Sequence, residues 1–277
     1  MMKVPVASPK RTWVKRPYWL YLVSGIVLLY VLIPVIVVGI MSFSSADYLS
    51  FPPPAFSFRW YLEFFRSQKW LWAAWNSLRI AVGTTAIAVP LGLLAALGLT
   101  KRGMRGRKWV NIMLLIPLMI PAIIAAVSMY LVYARWGLLG TYVGVVLGHS
   151  CMALPFVIIL IRSALSGLDS NLYDAAKTLG ANPFRATRLV VLPLIKPAIL
   201  SSLLFAFIIS FDEVIVSVFL VKTETTTVPK LMFDSLKFEI NPMISSISTL
   251  LVAITMSVLL MAELNHLRSK RWWGAKD

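Results

Sequence analysis

The sequence predicts an all-α integral membrane protein of six transmembrane helices with both termini cytoplasmic. Three observations carry that prediction. The 277-residue chain is 59% hydrophobic and only 14% charged, with a mean hydropathy of +0.80, whereas soluble domains hold about a quarter of their residues as charges. Its apolar runs are long and continuous rather than alternating, the pattern of membrane helices and not of β-barrel strands. Its basic residues gather in alternate connections between those runs, as the positive-inside rule requires.

The first run, Tyr18–Met41, contains no charged residue. It exceeds the roughly 7–15-residue apolar region of a signal peptide and no small-residue cleavage site follows, so a retained helix is expected. The second covers about 77–100, with Arg79 near one end, where its long stem can reach the interface. The third and fourth are 109–134 and 139–161, the fifth 198–221 with an acidic pair inside it, and the sixth 243–262. Asn76 is expected to cap the start of the second span. Pro34, Pro90, Pro117, Pro121 and Pro155 are expected to kink spans and shape a pathway. Between the first two spans, "FPPPAFSFRWYLEFF" is expected to include a short interfacial helix from about Phe58.

With the N-terminus inside, the cytoplasmic segments hold 19 Lys and Arg residues, including "KRGMRGRK" at 101–108, against seven outside. The expected division is a cytoplasmic tail over 1–17, a six-helix permeation domain over 18–263 and a second tail over 264–277. The net charge of +16 belongs to these loops and gives no reason to invoke nucleic acid. Cys151 is the single cysteine and lies in an apolar run, which excludes a disulfide framework. No haem, zinc or iron–sulfur spacing and no Walker A glycines with lysine occur, so the chain is expected to hold no cofactor and to hydrolyse no ATP itself.

The cytoplasmic segment 166–197 includes "LYDAAKTLGANPFRATRLVVLPLIKPAI" at 172–199. Leu172, Ala175, Ala176 and Leu179 recur at helical spacing and predict one apolar stripe. Asp169, Ser170 or Asn171 can cap this helix, Asp174 falls in its first turn, and Gly180 suits a left-handed terminating residue. Asn182–Pro183 reads as the cap and first residue of a second short helix, with Pro193 and Pro197 closing the unit and opening the fifth span. Such a pair could rest on lipid headgroups or offer its small alanines to another protein.

The spacing Asp174-Ala175-Ala176, three residues, Gly180, nine residues, Val190, one residue, Leu192-Pro193 resembles the EAA loop of bacterial ABC-importer permeases. The family pattern has Glu and Ile where this chain has Asp174 and Val190, substitutions that keep charge and shape. The resemblance implies a type I ABC importer fold. It also implies that the loop is a coupling helix docking on a cytoplasmic ATPase through Tyr173, Asp174, Ala175, Ala176, Leu179, Gly180 and Pro193. It further implies two ATPase subunits that bind ATP and Mg, a second homologous permease, a solute-binding protein outside, and a bacterial inner-membrane location.

"SFDEVIVSVFL" at 210–220 with "TVPKLMFDSLKFEINP" after it is similar to the second permease subunit of spermidine/putrescine-type importers. Permeases for opines, 4-aminobutyrate and aminophosphonates share much of this pattern. Asp212 lies roughly 22 Å along a helix from the start of the fifth span, in the outer half of the bilayer. A mid-membrane carboxylate costs about 2.5–3.5 kcal/mol on insertion scales, so Asp212 and Glu213 either face a cationic solute, with Phe211 beside them, or serve an ion pair or helix cap. Adjacent on a helix, the two point about 100° apart, so at most one is expected to meet solute.

His149 is expected to hydrogen-bond a neighbouring helix as a neutral ring. The "GHSC" stretch at 148–151 invites a serine-protease reading, but adjacent helical residues do not face each other. A secondary transporter would need inverted repeats with broken helices, which are not evident, and would leave the EAA-like loop without a role.

Overall fold

The computed structural model of the chain describes residues 18–100, 103–238 and 242–273. The tail 1–17, Lys101, Arg102 and the segment 274–277 with Lys276, all part of the count of basic residues above, lie outside the described residues, as does Glu239. In chain order the helices are α1 (Tyr18–Met41), α2 (Arg59–Arg66), α3 (Gln68–Thr100), α4 (Arg107–Met119), α5 (Ala122–Trp136), α6 (Tyr142–Ser166) and α7 (Ser170–Thr178). Then come α8 (Pro183–Ala186), a π-helical turn (Thr187–Val191), α9 (Leu192–Leu194), α10 (Lys196–Phe211), α11 (Ile215–Leu220), α12 (Val228–Phe238) and α13 (Met243–Trp273). No strand occurs among the described residues.

The chain forms two compact units, one from residues up to Leu62 together with those from Asn241 onward, the other from Glu63–Ile240. In the first unit α1 packs on α13 yet buries no residue of its own, as suits a helix surrounded mainly by lipid. Ser246 Oγ donates to the Ser42 carbonyl at 2.7 Å, and the Ser42 and Tyr61 hydroxyls meet at 2.7 Å. Phe43, Phe58 and Tyr61 cluster edge-on and tilted around that junction. The expected short helix after Phe58 is α2.

In the second unit α3, α6 and α10 form the scaffold. Their buried contact is made largely of Ala88, Ala96, Ala153 and Ala206 with Val157 and Ile161. Small residues let membrane helices approach closely, so dispersion contacts hold them where no hydrophobic effect acts between helices. The approach is closest at Gly92, where an added Cβ would lie 2.5 Å from Val157 Cγ1. Thr141 caps α6 by accepting from the Gly144 N–H at 3.0 Å.

Among the described residues three helices are individually long and apolar enough to cross a membrane, and two bent pairs bring the number to at most five; the apolar stretch Met243–Ser257 of α13 is shorter. Two expected spans are therefore corrected. The third is not continuous: α4 and α5 meet at 101°. Proline disfavours helical geometry in its predecessor, and Ile120 is extended, at φ −86°, ψ 131°, before Pro121. The fifth is interrupted between Asp212 and Val214, where α10 stops and α11 begins. The backbone stays helical through Pro34, Pro90 and Pro155.

Gly92→Val should lower the melting temperature of the detergent-solubilised protein by several degrees, because overpacking a filled contact costs about 1–3 kcal/mol. Gly25→Val, at a glycine with nothing within 4 Å, should leave it unchanged. Equal melting temperatures for the two variants would contradict the close α3–α6 contact.

Candidate functional site

The segment after α6 builds two short helices by local rules. Asp169 Oδ1 accepts from the Asn171 N–H at 2.9 Å and so caps α7. Gly180 takes φ +85°, as expected. Its N–H bonds the Lys177 carbonyl at 2.9 Å and the Ala181 N–H bonds the Ala176 carbonyl at 3.0 Å, completing a Schellman termination. Asn182 Oδ1 then accepts from the Arg185 N–H at 2.8 Å, with Pro183 opening α8. The chain continues through the π-helical turn to Pro193, whose missing N–H and crowding ring disfavour regular α-helical bonding to the preceding turn. Lys196 and Pro197 start α10 after a 72° bend.

One expectation for α7 needs correction. Asp174 lies beyond the first turn, because capping by Asp169 starts the helix earlier. The stripe of Leu172, Ala175, Ala176 and Leu179 stays largely uncovered, as a surface offered to lipid or to another protein would be. Tyr173 and Ala176 are half-buried while Asp174 and Ala175 are exposed, and Leu179 is 89% exposed. Beneath α7 a cavity of about 500 Å³ is lined by Leu97, Thr100, Leu168, Leu172, Tyr173 and Val191 among others. The outward apolar side chains Leu179 and Phe184, the latter 71% exposed, have little cover among the described residues.

About 24 Å away, at the far end of the 16-residue α10, lies the break. Asp212 is the C-cap of α10 and its N–H bonds the Ile208 carbonyl at 2.9 Å. Glu213 folds onto α11, its Oε1 accepting from the Val216 N–H at 3.0 Å. Thus the pair does not sit on one helix, and the two carboxylates have separate surroundings. Asp212 is exposed and Glu213 half-buried. Phe211 stacks on Phe207 with ring centres 5.7 Å apart.

His149 of α6 is fully buried and hydrogen-bonds neighbouring helices as expected. Its Nδ1 lies 2.9 Å from Ser210 Oγ and 3.1 Å from the Ser210 carbonyl. Its Nε2 lies 3.1 Å from Ser217 Oγ, and Ser210 Oγ donates to Thr84 Oγ1 at 3.1 Å. Ser150, the sequence neighbour, is not among its partners. The hydroxyls of Thr84, Ser210 and Ser217 were not singled out from sequence; the available signal was two serines, seven apart, flanking the acidic pair.

Asn76 does not cap the second span. It lies inside α3, which begins at Gln68, and is fully buried. Its Nδ2 donates to the carbonyls of Glu224 at 2.9 Å and Thr226 at 3.0 Å, while its Oδ1 accepts from Tyr142 OH at 2.7 Å. Ser77 Oγ accepts from the Val228 N–H at 2.8 Å. Together they hold the loop that follows α11 against α3.

A helical membrane scaffold with a capped two-helix loop at one end of α10 and a broken helix at the other defines the class of transporter permeases. Residues 88–270 match the family model described as binding-protein-dependent transport system inner membrane component. The chain is 32% identical over 240 residues to the spermidine/putrescine transport system permease protein PotC of Haemophilus influenzae, covering 86% of this chain and 93% of the relative. It is 32% identical over 238 residues to the putrescine transport system permease protein PotI of Escherichia coli K12, covering 83% and 84%. The fold is similar to a chain of a bacterial ABC transporter involved in the import of the acidic polysaccharide alginate, with TM-score 0.69, 20% identity and coverage of 95% of this chain and 99% of that one. The chain belongs to the family of inner-membrane components of binding-protein-dependent transport systems and is an ABC-importer permease subunit.

Replacing Asn76 by alanine orphans the Thr226 carbonyl and leaves the Glu224 carbonyl and the Tyr142 hydroxyl only each other, at 3.2 Å, and an orphaned buried polar group costs about 1–3 kcal/mol. Asn76→Ala should therefore raise tryptic cleavage at Lys222 in vesicles at least about tenfold through local opening. Unchanged cleavage would sink the assignment of Asn76 as the clamp of that loop.

Proposed function

We propose that this permease forms half of the translocation pathway of an ATP-driven importer for polyamines such as spermidine and putrescine. The observation that carries the reading is the position of Asp212. A helix C-terminus bears partial negative charge, and Asp212 adds a carboxylate there with no protein partner among the described residues. Charges at membrane depth are retained where they face a cavity or pathway. Two sources of negative potential at one point, with the Phe211 ring adjacent, suit a protonated amine. The names of the PotC and PotI relatives point to the same solute class.

In this reading the chain lies in a bacterial inner membrane with six crossings and both termini cytoplasmic. A second, homologous permease completes the pathway as a heterodimer, and a solute-binding protein delivers solute from outside. Two cytoplasmic ATPase subunits bind ATP and Mg and receive α7 through Tyr173, Asp174, Ala175, Ala176 and Leu179, with Gly180 and Pro193 setting its pose. The exposed Leu179 and Phe184 supply apolar surface for that docking. This chain itself is no enzyme and holds no cofactor.

Asp212→Asn should reduce polyamine uptake by the reconstituted importer at least about tenfold, the equivalent of one lost charge contact of about 1.4 kcal/mol. Glu213→Gln, which keeps an acceptor for the Val216 N–H, should stay within about twofold while complex assembly is unchanged in both. Normal uptake by Asp212→Asn, or response to anionic solutes only, would remove the polyamine assignment and leave the importer class.

Gly180→Val places a branched side chain at φ +85°, and Asp174→Lys reverses the charge offered by α7. Both should abolish transport while the protein still inserts in the membrane. Normal uptake by both variants would rule out ATPase coupling through this loop.

A further inference from the structure

We propose that His149 is the positioning residue that fixes where the Asp212 carboxylate points. The inference rests on the reading that Asp212 meets solute. A break in a helix is a hinge unless something spans it, and one imidazole spans this one. Ser210 lies two residues before Asp212 and Ser217 four after Glu213, and the His149 ring contacts both, at 2.9 Å and 3.1 Å. The backbone groups at the break set its local bends, and among the described residues this ring on α6 is what ties the end of α10 directly to α11 by side-chain hydrogen bonds.

The hydrogen-bond network assigns the tautomer. The Ser210 hydroxyl donates to Thr84, and the Ser210 carbonyl can only accept, so Nδ1 carries the proton and donates to Ser210. Nε2 then accepts from the Ser217 hydroxyl. Every proton in the chain has a destination, so the ring acts as a rigid spacer of fixed length. Thr84 extends the same tie to α3, anchoring the break to the closely packed α3–α6 scaffold. With Glu213 committed to the Val216 N–H, Asp212 is the carboxylate whose direction this spacer controls.

The test uses the complete importer in proteoliposomes. In a Cys151→Ala background, the thiol introduced by Asp212→Cys is modified with cationic and anionic methanethiosulfonate reagents, with and without His149→Ala. His149→Ala is expected to change the modification rate at least about tenfold, and Ser217→Ala, which removes one oxygen, to change it in the same direction by less. A rate within about twofold of the parent in an assembled His149→Ala or Ser217→Ala complex overturns the proposal. If His149→Ala does not assemble, the Ser217→Ala rate decides.

With Asp212 intact, His149→Ala should lower polyamine transported per ATP hydrolysed at saturating loaded binding protein. In an Asp212→Asn background it should add nothing, because residues acting through one another are not additive. Full additivity overturns the proposal. Should Asp212→Asn alone leave transport normal, the polyamine reading fails, while the thiol modification rates still decide the role of His149.

Discussion

Backbone N–H and C=O groups within hydrocarbon have to be paired inside the protein; of three helix breaks among the described residues, those at Ile120 and at Asp212–Val214 fall within expected spans and meet that constraint, while the one between them, at Ile195, falls in the loop expected outside the bilayer. At Ile120 the N–H still reaches the Ile116 carbonyl at 3.3 Å, and the next residue, Pro121, has no N–H to satisfy. At Ile195 the N–H bonds Val191 at 3.0 Å, and Pro197 falls in the first turn of α10, where a donor would have had no helical partner. At the third break no proline follows, and a side chain serves instead: Glu213 accepts the Val216 N–H. Each interruption is thus solved by removing a donor or supplying an acceptor.

These solutions place the two candidate functional regions at the ends of one element. α10 runs uninterrupted from the 72° bend at Ile195 to Asp212, and its small residues Ser202, Ala206 and Ser210 are buried in the scaffold. Side chains of that size let α10 lie close against α3 and α6, so that its two ends are joined by a continuous packed rod. The loop at one end is exposed and the break at the other is held by buried hydroxyls. A helix held in this way is suited to carry movement from the loop to the break as a body.

How much of this was legible in the sequence depended on how local each feature was. Asp169, Gly180 and Asn182–Pro183 announced their caps because capping involves residues within four positions of one another. α1, α3 and α6 were legible as apolar runs, and the loop between α6 and α10 by its spaced motif. The break at Asp212–Val214 was not, since apolar composition continues on both sides and hydropathy cannot distinguish a helix from two halves of one. The acidic pair was noticed, but the helix dipole at each new end emerges only once the break is known. Asn76 was misread because "QKWLWAAW" extends α3 backward, and its true partners are about 150 residues away. His149 was read correctly in kind, yet its span across the break depended on tertiary placement.

The break also explains why adjacent acidic residues need not be equivalent. On a continuous helix Asp212 and Glu213 would differ only by an angle. Once the helix stops between them, Glu213 stands at the start of α11, where positive partial charge and a free N–H satisfy its carboxylate. Asp212 stands at the end of α10, where the partial charge has its own sign and opposes it. The longer side chain is the one that folds forward to the Val216 N–H, leaving the shorter one uncommitted. A structural carboxylate and an electrostatically frustrated one therefore arise from a single backbone event, and the frustrated one has most to gain from a cation.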